Sequence, residues 1–158
     1  MSEVKIFKFG GSCLKESNDL EAVVQRIVES SQEKTVVVVS ALHGITDRIL
    51  ERLEHNDRES VSAFVTSIEM MHLEISPTLV NDAYYSKFRD ALAALSGALL
   101  DNCENSSEKS QIKAQIAGEQ MSSVAVSAAV SACGIDSKPI WSEEFGIKIH
   151  KVKGESVI

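Results

Sequence analysis

The chain has 158 residues, 44% of them hydrophobic and 25% charged, which suits one soluble globular domain. Its net charge of −7 argues against general nucleic-acid binding and against an anionic membrane surface, but leaves room for a local basic site. The widely spaced Cys13, Cys103 and Cys133 argue against a disulfide framework or a structural zinc site. There is no secretory h-region, and no apolar run approaches the ~20 residues of a membrane span, so we expect a cytoplasmic protein.

The first forty residues predict a βαβ unit. Val4 to Phe9 forms a strand, and residues 35–40 form a second one, whose four consecutive valines predict a central parallel strand buried on both faces. Asn18 and Glu21 fit a capping box at the start of a helix between them. The connection is expected to be right-handed. The apolar residues of this helix have helical spacing: Leu20, Val23, Val24, Ile27 and Val28.

Helical spacing dominates the chain after the second strand. Pro77 and Gly134 each predict the end of a helix, and His72, on an apolar helix face, is interpreted as a core histidine. The helices up to residue 101 are expected to form a layer on one side of the sheet. The predicted elements are a helix from Thr46, helices over 59–75 and 82–101, a loop or a frayed connection between helices over 102–110, and an alanine-rich helix over 115–133.

The C-terminal segment predicts short strands. "KPIW" at 138–141 is typical of a third strand, and "GIKIHKV" at 146–152 of a short alternating one. Residues 152–158 are strand-like, with no closing helix. Three or four strands are few for a complete doubly wound domain. We therefore expect an incomplete α/β fold, with a mostly parallel sheet flanked by helices and a helical insertion.

The first candidate site is Lys8 with Gly10, Gly11 and Ser12. Glycines just past a strand end let the backbone approach a ligand, and successive N–H groups there can bind an anion. The lysine adds a positive charge, which suits a phosphoryl group in transfer. The alternative is a tight turn with a solvated lysine. The pattern matches neither GxxxxGK(S/T) nor GxGxxG.

There are two further candidate sites. One follows the second strand, and the other lies near the predicted start of the alanine-rich helix. Ser40 and Thr46 flank a strand end and a helix start, where free N–H groups could hold a carboxylate or phosphate; the alternative is capping by Thr46. Glu119 could bind an ammonium group, or act only as a partner of the helix dipole. The two strand ends should face one crevice. No residue cluster has metal-ligand spacing.

Together these segments resemble the aspartokinases of the amino-acid kinase superfamily. "KFGGSCL" is similar to their opening KFGG(S/T)S(V/L), and "VVVVSALHGITDRIL" to their VVVSAxxGxTNxLL. "AGEQMSSVAVSAAVSACGIDSKPI" is similar to their GExxSxxLxxxxLxxxGxxA, and "SEEFGIKIHKVKGESVI" weakly resembles the segment around GIxTD. Order and approximate spacing also agree. Superfamily members that act on acetylglutamate, glutamate or UMP share the glycine loop but are less like the second and third motifs.

The resemblance implies a three-layer carbamate kinase-like sandwich and phosphorylation of the L-aspartate side-chain carboxylate by ATP with Mg²⁺, the entry to lysine, threonine and methionine synthesis. Lys8 would stabilise the transferred phosphoryl group, and Glu119 would bind the substrate amino group. The resemblance also implies that the phosphate path is lined by Gly10, Gly11 and Ser12. It implies that the aspartate substrate is contacted by Ser40, Ala41 and Thr46.

Some positions depart from the family pattern. Asp47 stands where Asn is common, His43 where a small or polar residue is common, and "GIKIHK" lacks the TD of the later motif. Residues 1–158 match only the N-terminal, amino-acid-binding part of the kinase domain, so the nucleotide-binding half and the ACT domains are expected to be absent and the chain alone inactive. A homo-oligomer is possible. The alternatives are a noncatalytic binding or subunit protein of this fold, and an amino-acid kinase with another carboxylate substrate.

Overall fold

The structure, a computed structural model, describes residues 4–30, 34–146, 150–152 and 155–157. The helices are α1 Ser17–Val28, α2 Ile45–Leu53, α3 Val61–Ile75, α4 Asp82–Glu104 and α5 Glu108–Ala132. The strands are β1 Val4–Phe9, β2 Lys34–Val39, β3 His150–Val152 and β4 Glu155–Val157. No helix in the described ranges is both long enough and apolar enough to cross a membrane.

The βαβ unit at the N-terminus is confirmed. β1 and β2 pair in parallel, and their register sets Phe9 beside Val39, so both strands end at the same level. α1 buries the apolar face that its spacing predicts. The predicted capping box is wrong: the N-cap is Glu16, so Asn18 already lies inside the helix. The nearby Asp19 carboxylate instead accepts from the Lys15 N–H at 3.1 Å.

The polar stretch 102–110, predicted to be a loop, mostly extends the two helices that flank it. α4 continues to Glu104, and α5 begins at Glu108. Asn102 is buried in α4, where its side chain donates to the Leu53 carbonyl at 3.0 Å and accepts from the Ser110 hydroxyl at 3.2 Å. Ser107 and Ser110 form a capping box for α5. The polar residues that suggested a loop are thus used for capping and buried hydrogen bonds.

The helices cover one face of the β1–β2 sheet. Phe9, Val37 and Val39 pack against the helical core, in which α5 contacts every other helix. The opposite face is open in the part of the chain that the structure describes, where Val36 is 43% and Val38 48% exposed. The prediction that β2 is buried on both faces is therefore wrong for this chain, because the described helices all pack on the other side.

The C-terminal strands are partly as predicted. Residues 138–141 are not a strand: the Pro139 carbonyl accepts from the Lys87 ammonium of α4 at 2.9 Å, and the Trp141 N–H donates to the Glu144 carboxylate at 3.0 Å. Pro139 also has no N–H to donate. β3 and β4 form an antiparallel pair. The strand predicted over 146–152 is confirmed at 150–152, and residues 147–149 lie outside the described ranges.

Candidate functional site

The carboxyl ends of β1 and β2 bring the first two candidate sites together. Beyond the last paired residues, the Ser40 N–H donates to the Phe9 carbonyl at 3.0 Å. The segment 10–14 (the first loop) and the segment 40–44 (the second loop) therefore leave the sheet side by side. This is the edge at which ligands bind in open α/β sheets.

The two glycines of the first loop have different roles. A Cβ on Gly11 would lie only 2.8 Å from the Ala41 carbonyl oxygen, so the second loop packs where a side chain would be. A Cβ on Gly10 would meet only the Ser12 hydroxyl, at 3.9 Å. Gly11 thus permits the close contact between the two loops, whereas the space beside Gly10 is free. The sequence predicts a close approach of a ligand to both glycines, and the structure leaves room for one at Gly10.

The second loop is held from two sides. The His43 N–H donates to the Leu14 carbonyl of the first loop at 3.1 Å, and the Leu42 N–H donates to the Ser122 hydroxyl of α5 at 2.9 Å. The N–H groups of both residues are therefore used inside the protein. Gly44 then turns the chain into α2 with a φ of +77°, a conformation that favours glycine.

The start of α2 has no side-chain cap. Its N-cap is Gly44, with no capping hydrogen bond, so the alternative that Thr46 serves as the cap is wrong. Ile45 and Arg48 donate their N–H groups to carbonyls of the second loop, but the N–H groups of Thr46 and Asp47 have no partner among the described residues. With the exposed Thr46 hydroxyl, these groups form a site of positive potential that suits an anion.

α5 passes directly beneath the second loop at Gly118. A Cβ on this glycine would lie 3.3 Å from Ile49 and 3.5 Å from the Cβ of Ala41, so little room separates the helix from the loop. Glu119, the next residue, is exposed. Within the described ranges its carboxylate has no ion pair or hydrogen bond, and it remains available to a cation.

Lys8 lies one residue before the end of β1, opposite Val38. Strand alternation places it on the open face of the sheet with Ile6, and its side chain is exposed without a described partner. Glu119 lies near the middle of α5, so the alternative that it acts only as a partner of the helix dipole is wrong. The two strand ends bring Gly10, Gly11, Ser12, Ser40, Ala41 and Thr46 to this edge. Lys8 lies just before the edge on the open face, and Glu119 follows Gly118, where α5 packs against the second loop.

Other features lie away from this crevice. A cavity of about 390 Å³ runs between β2, α5 and residues 135–140, and its described lining contains none of the predicted site residues. His72 is a core histidine, as its apolar helix face predicts: the side chain is fully buried, its Nδ1 lies 2.8 Å from the Ile68 carbonyl, and burial lowers its pKa to about 4. The prediction that its polar atoms are all satisfied is wrong, because its buried Nε2 has no hydrogen-bond partner among the described residues. No group of His, Cys, Asp and Glu among the described residues could hold a metal ion.

Sequence reasoning missed one residue, Ser122. It is fully buried and joins the second loop to α5. The signal in the sequence is the serine of the GExxS pattern, which falls on Ser122 in the "GEQMSS" segment.

Comparisons with known proteins agree with this arrangement. A family model for the amino acid kinase family matches residues 3–157, and comparison with curated protein sequences gives no match. Among solved structures, E. coli aspartokinase III in complex with aspartate and ADP (R-state) matches with a TM-score of 0.71 and 16% identity, over 84% of this chain and 30% of that one. The same enzyme in complex with lysine and aspartate (T-state) matches with a TM-score of 0.71 and 19% identity, over 85% of this chain and 30% of that one.

The chain thus spans about 30% of the length of these solved structures. Its βαβ unit, the loops at the strand ends and the helical layer form an incomplete α/β fold that matches aspartokinase. The chain belongs to the amino acid kinase family.

Proposed function

We propose that the chain forms the amino-acid side of an aspartate kinase site, which phosphorylates the side-chain carboxylate of L-aspartate with ATP. The observation that carries the proposal is the packing of three motif segments on one another at one sheet edge, where the two strand ends meet and the turn of α5 that holds Gly118 and Ser122 contacts the second loop. The resemblance of those segments to aspartokinases supports aspartate as the substrate, and the reaction would be the entry to lysine, threonine and methionine synthesis.

Glu119 binds the ammonium group of the substrate in this proposal. Its carboxylate is exposed and unpaired among the described residues, so it loses no internal ion pair when the ligand binds. Ser40, Ala41 and Thr46 contact the rest of aspartate. The open start of α2 supplies N–H groups for a carboxylate, and a carboxylate there gains from the helix dipole.

Lys8, Gly10, Gly11 and Ser12 line the path of the phosphoryl group. In the reaction, a side-chain carboxylate oxygen of aspartate attacks the γ-phosphorus of ATP, the bond to the β–γ bridging oxygen breaks, and ADP leaves. The protein positions two anions and neutralises the charge between them, which is the function of an unpaired ammonium at this edge. The described residues hold no cluster for Mg²⁺, so we expect this ion to arrive with the nucleotide phosphates.

The most direct test is calorimetric titration of the chain with L-aspartate. We expect binding, and we expect Glu119→Gln to weaken it at least about tenfold, because a charge-assisted contact is lost. Glu21→Gln is the matched control, since Glu21 is exposed on α1 and away from the crevice. Absence of aspartate binding, or an equal loss in both variants, would contradict the proposal.

An ADP-release assay with aspartate tests the expected role of the missing portion. Because the chain spans about 30% of the matched kinases, we expect turnover far below that of an ordinary enzyme. A rate within tenfold of the usual range of roughly 1 to 10³ s⁻¹ would show that the nucleotide site is already complete.

A further inference from the structure

Ser122 links two motif segments that are far apart in sequence. Its hydroxyl accepts the N–H of Leu42, 80 positions away, at 2.9 Å and donates to the Gly118 carbonyl at 3.2 Å. The side chain is fully buried, so water does not replace either partner. The hydroxyl donor is therefore committed to its own helix, and one lone pair is committed to the second loop.

This bond attaches the second loop to the helical turn that carries Glu119. Residues three apart on a helix lie on the same side and within one turn, so Ser122 and Glu119 move together. On its other side the loop is held by the His43 N–H, which donates to the Leu14 carbonyl. The spacing between the loop and the Glu119 carboxylate thus depends on this hydrogen bond, on one turn of α5 and on the close packing of Ala41 against Gly118.

We propose that Ser122 is a positioning residue, which fixes this spacing and so determines the length of the amino acid that the crevice accepts. The inference rests on the proposed function, in which Glu119 holds the ammonium group and the second loop holds the opposite end of the ligand. L-glutamate is one methylene longer than L-aspartate. A fixed spacing rejects the longer ligand, whereas a loop that is free to shift admits both.

The test combines amide hydrogen exchange with ligand titration of the full chain. In Ser122→Ala, we expect the Leu42 amide to exchange at least tenfold faster relative to the amides of α4. We also expect the ratio of L-aspartate to L-glutamate affinity to fall about tenfold, within the range that one methylene usually contributes to selectivity. Ser122→Thr keeps the hydroxyl and is expected to restore both quantities.

Ser123→Ala is the matched control. The Ser123 hydroxyl donates to the Gln120 carbonyl of its own helix at 2.7 Å and has no bond to the second loop, so this variant should change neither quantity. If Ser122→Ala does not fold, Ser122→Cys gives the same comparison, because a thiol of similar size is a weak acceptor.

Unchanged Leu42 exchange in Ser122→Ala, or an equal loss of selectivity in Ser123→Ala, would overturn the proposal. If the wild-type chain binds neither ligand, the proposed function and the selectivity claim both fail. The exchange result then decides separately whether Ser122 holds the loop.

Discussion

Two regions of the molecule use polar side chains in opposite ways. In the helical layer, which comprises α3, α4 and the segments that contact them, Asn102 links to Leu53 and the Ser76 hydroxyl donates to the Ala125 carbonyl at 3.2 Å. The exception among the described residues of α3 is the buried Nε2 of His72, which has no hydrogen-bond partner. In the crevice, Lys8 and Glu119 are exposed and have no partner among the described residues. Buried polar groups with internal partners stabilise the fold, whereas exposed polar groups without a partner are available to a ligand.

This comparison predicts that stability and binding can be separated by mutation. Substitutions in the helical layer should change the free energy of unfolding and leave aspartate affinity unchanged. Substitutions of exposed crevice residues should weaken aspartate affinity and leave the free energy of unfolding unchanged. The predictions below begin with the largest expected effect.

His72 should make the chain less stable in acid. Burial lowers its pKa from 6.5 to about 4, so between these values the unfolded chain binds a proton that the folded chain does not. The contribution of His72 to the free energy of unfolding is fully present above pH 6.5. It decreases by about 3 kcal/mol as the pH is lowered to 4. Urea unfolding from pH 7 to pH 4 should show this slope in the wild type, and His72→Leu should lose it.

The control for this experiment is His55→Gln, because His55 is exposed in a loop. A pH dependence that survives in His72→Leu would assign the acid sensitivity to other groups. Aspartate affinity at pH 7 should be the same in all three proteins.

Asn102→Ala should lower the free energy of unfolding by about 2 kcal/mol, because it leaves the buried Leu53 carbonyl without its partner and removes the acceptor that the Ser110 hydroxyl contacts at 3.2 Å. Urea denaturation measures this loss, and Asn56→Ala, at an exposed loop position, is the comparison. Weaker aspartate binding in folded Asn102→Ala would mean that the helical layer and the crevice are not independent.

Gly11→Ala should destabilise the chain by at least about 1 kcal/mol, because its Cβ would lie 2.8 Å from a backbone oxygen of the second loop. It should also weaken aspartate binding by shifting that loop. Gly10→Ala should leave stability and aspartate affinity unchanged, since its Cβ makes only an ordinary contact. Similar effects from the two substitutions would remove the distinction between the glycines.

Local patterns are sufficient for β1, α1 and β2, because hydrophobic period and turn chemistry are encoded within a few neighbouring residues. Local patterns are insufficient wherever a hydrogen bond to a residue far away in the sequence determines the local structure. Residues 102–110 are polar enough for a loop, but Asn102 finds its partner in α2. Residues 138–141 have a strand-like sequence, yet the Pro139 carbonyl accepts from Lys87 of α4 and the Trp141 N–H donates to Glu144.

The valines of β2 show a different limit. Their sequence predicts burial on both faces, and the described chain covers only one. The link between Ser122 and the second loop was not predicted, because a serine inside a helix gives no indication that its hydroxyl accepts from an N–H 80 residues away. The roles assigned to the crevice residues remain proposals.

The central claim is that the crevice at the ends of β1 and β2 binds L-aspartate. Titration of ¹⁵N-labelled chain with L-aspartate, followed by amide chemical shifts, tests it most directly. The account predicts that the largest shifts occur at Ser40, Thr46 and Glu119, and that residues along the cavity between β2, α5 and residues 135–140 stay unchanged. The absence of shifts at saturating aspartate, or shifts confined to that cavity, would contradict the account.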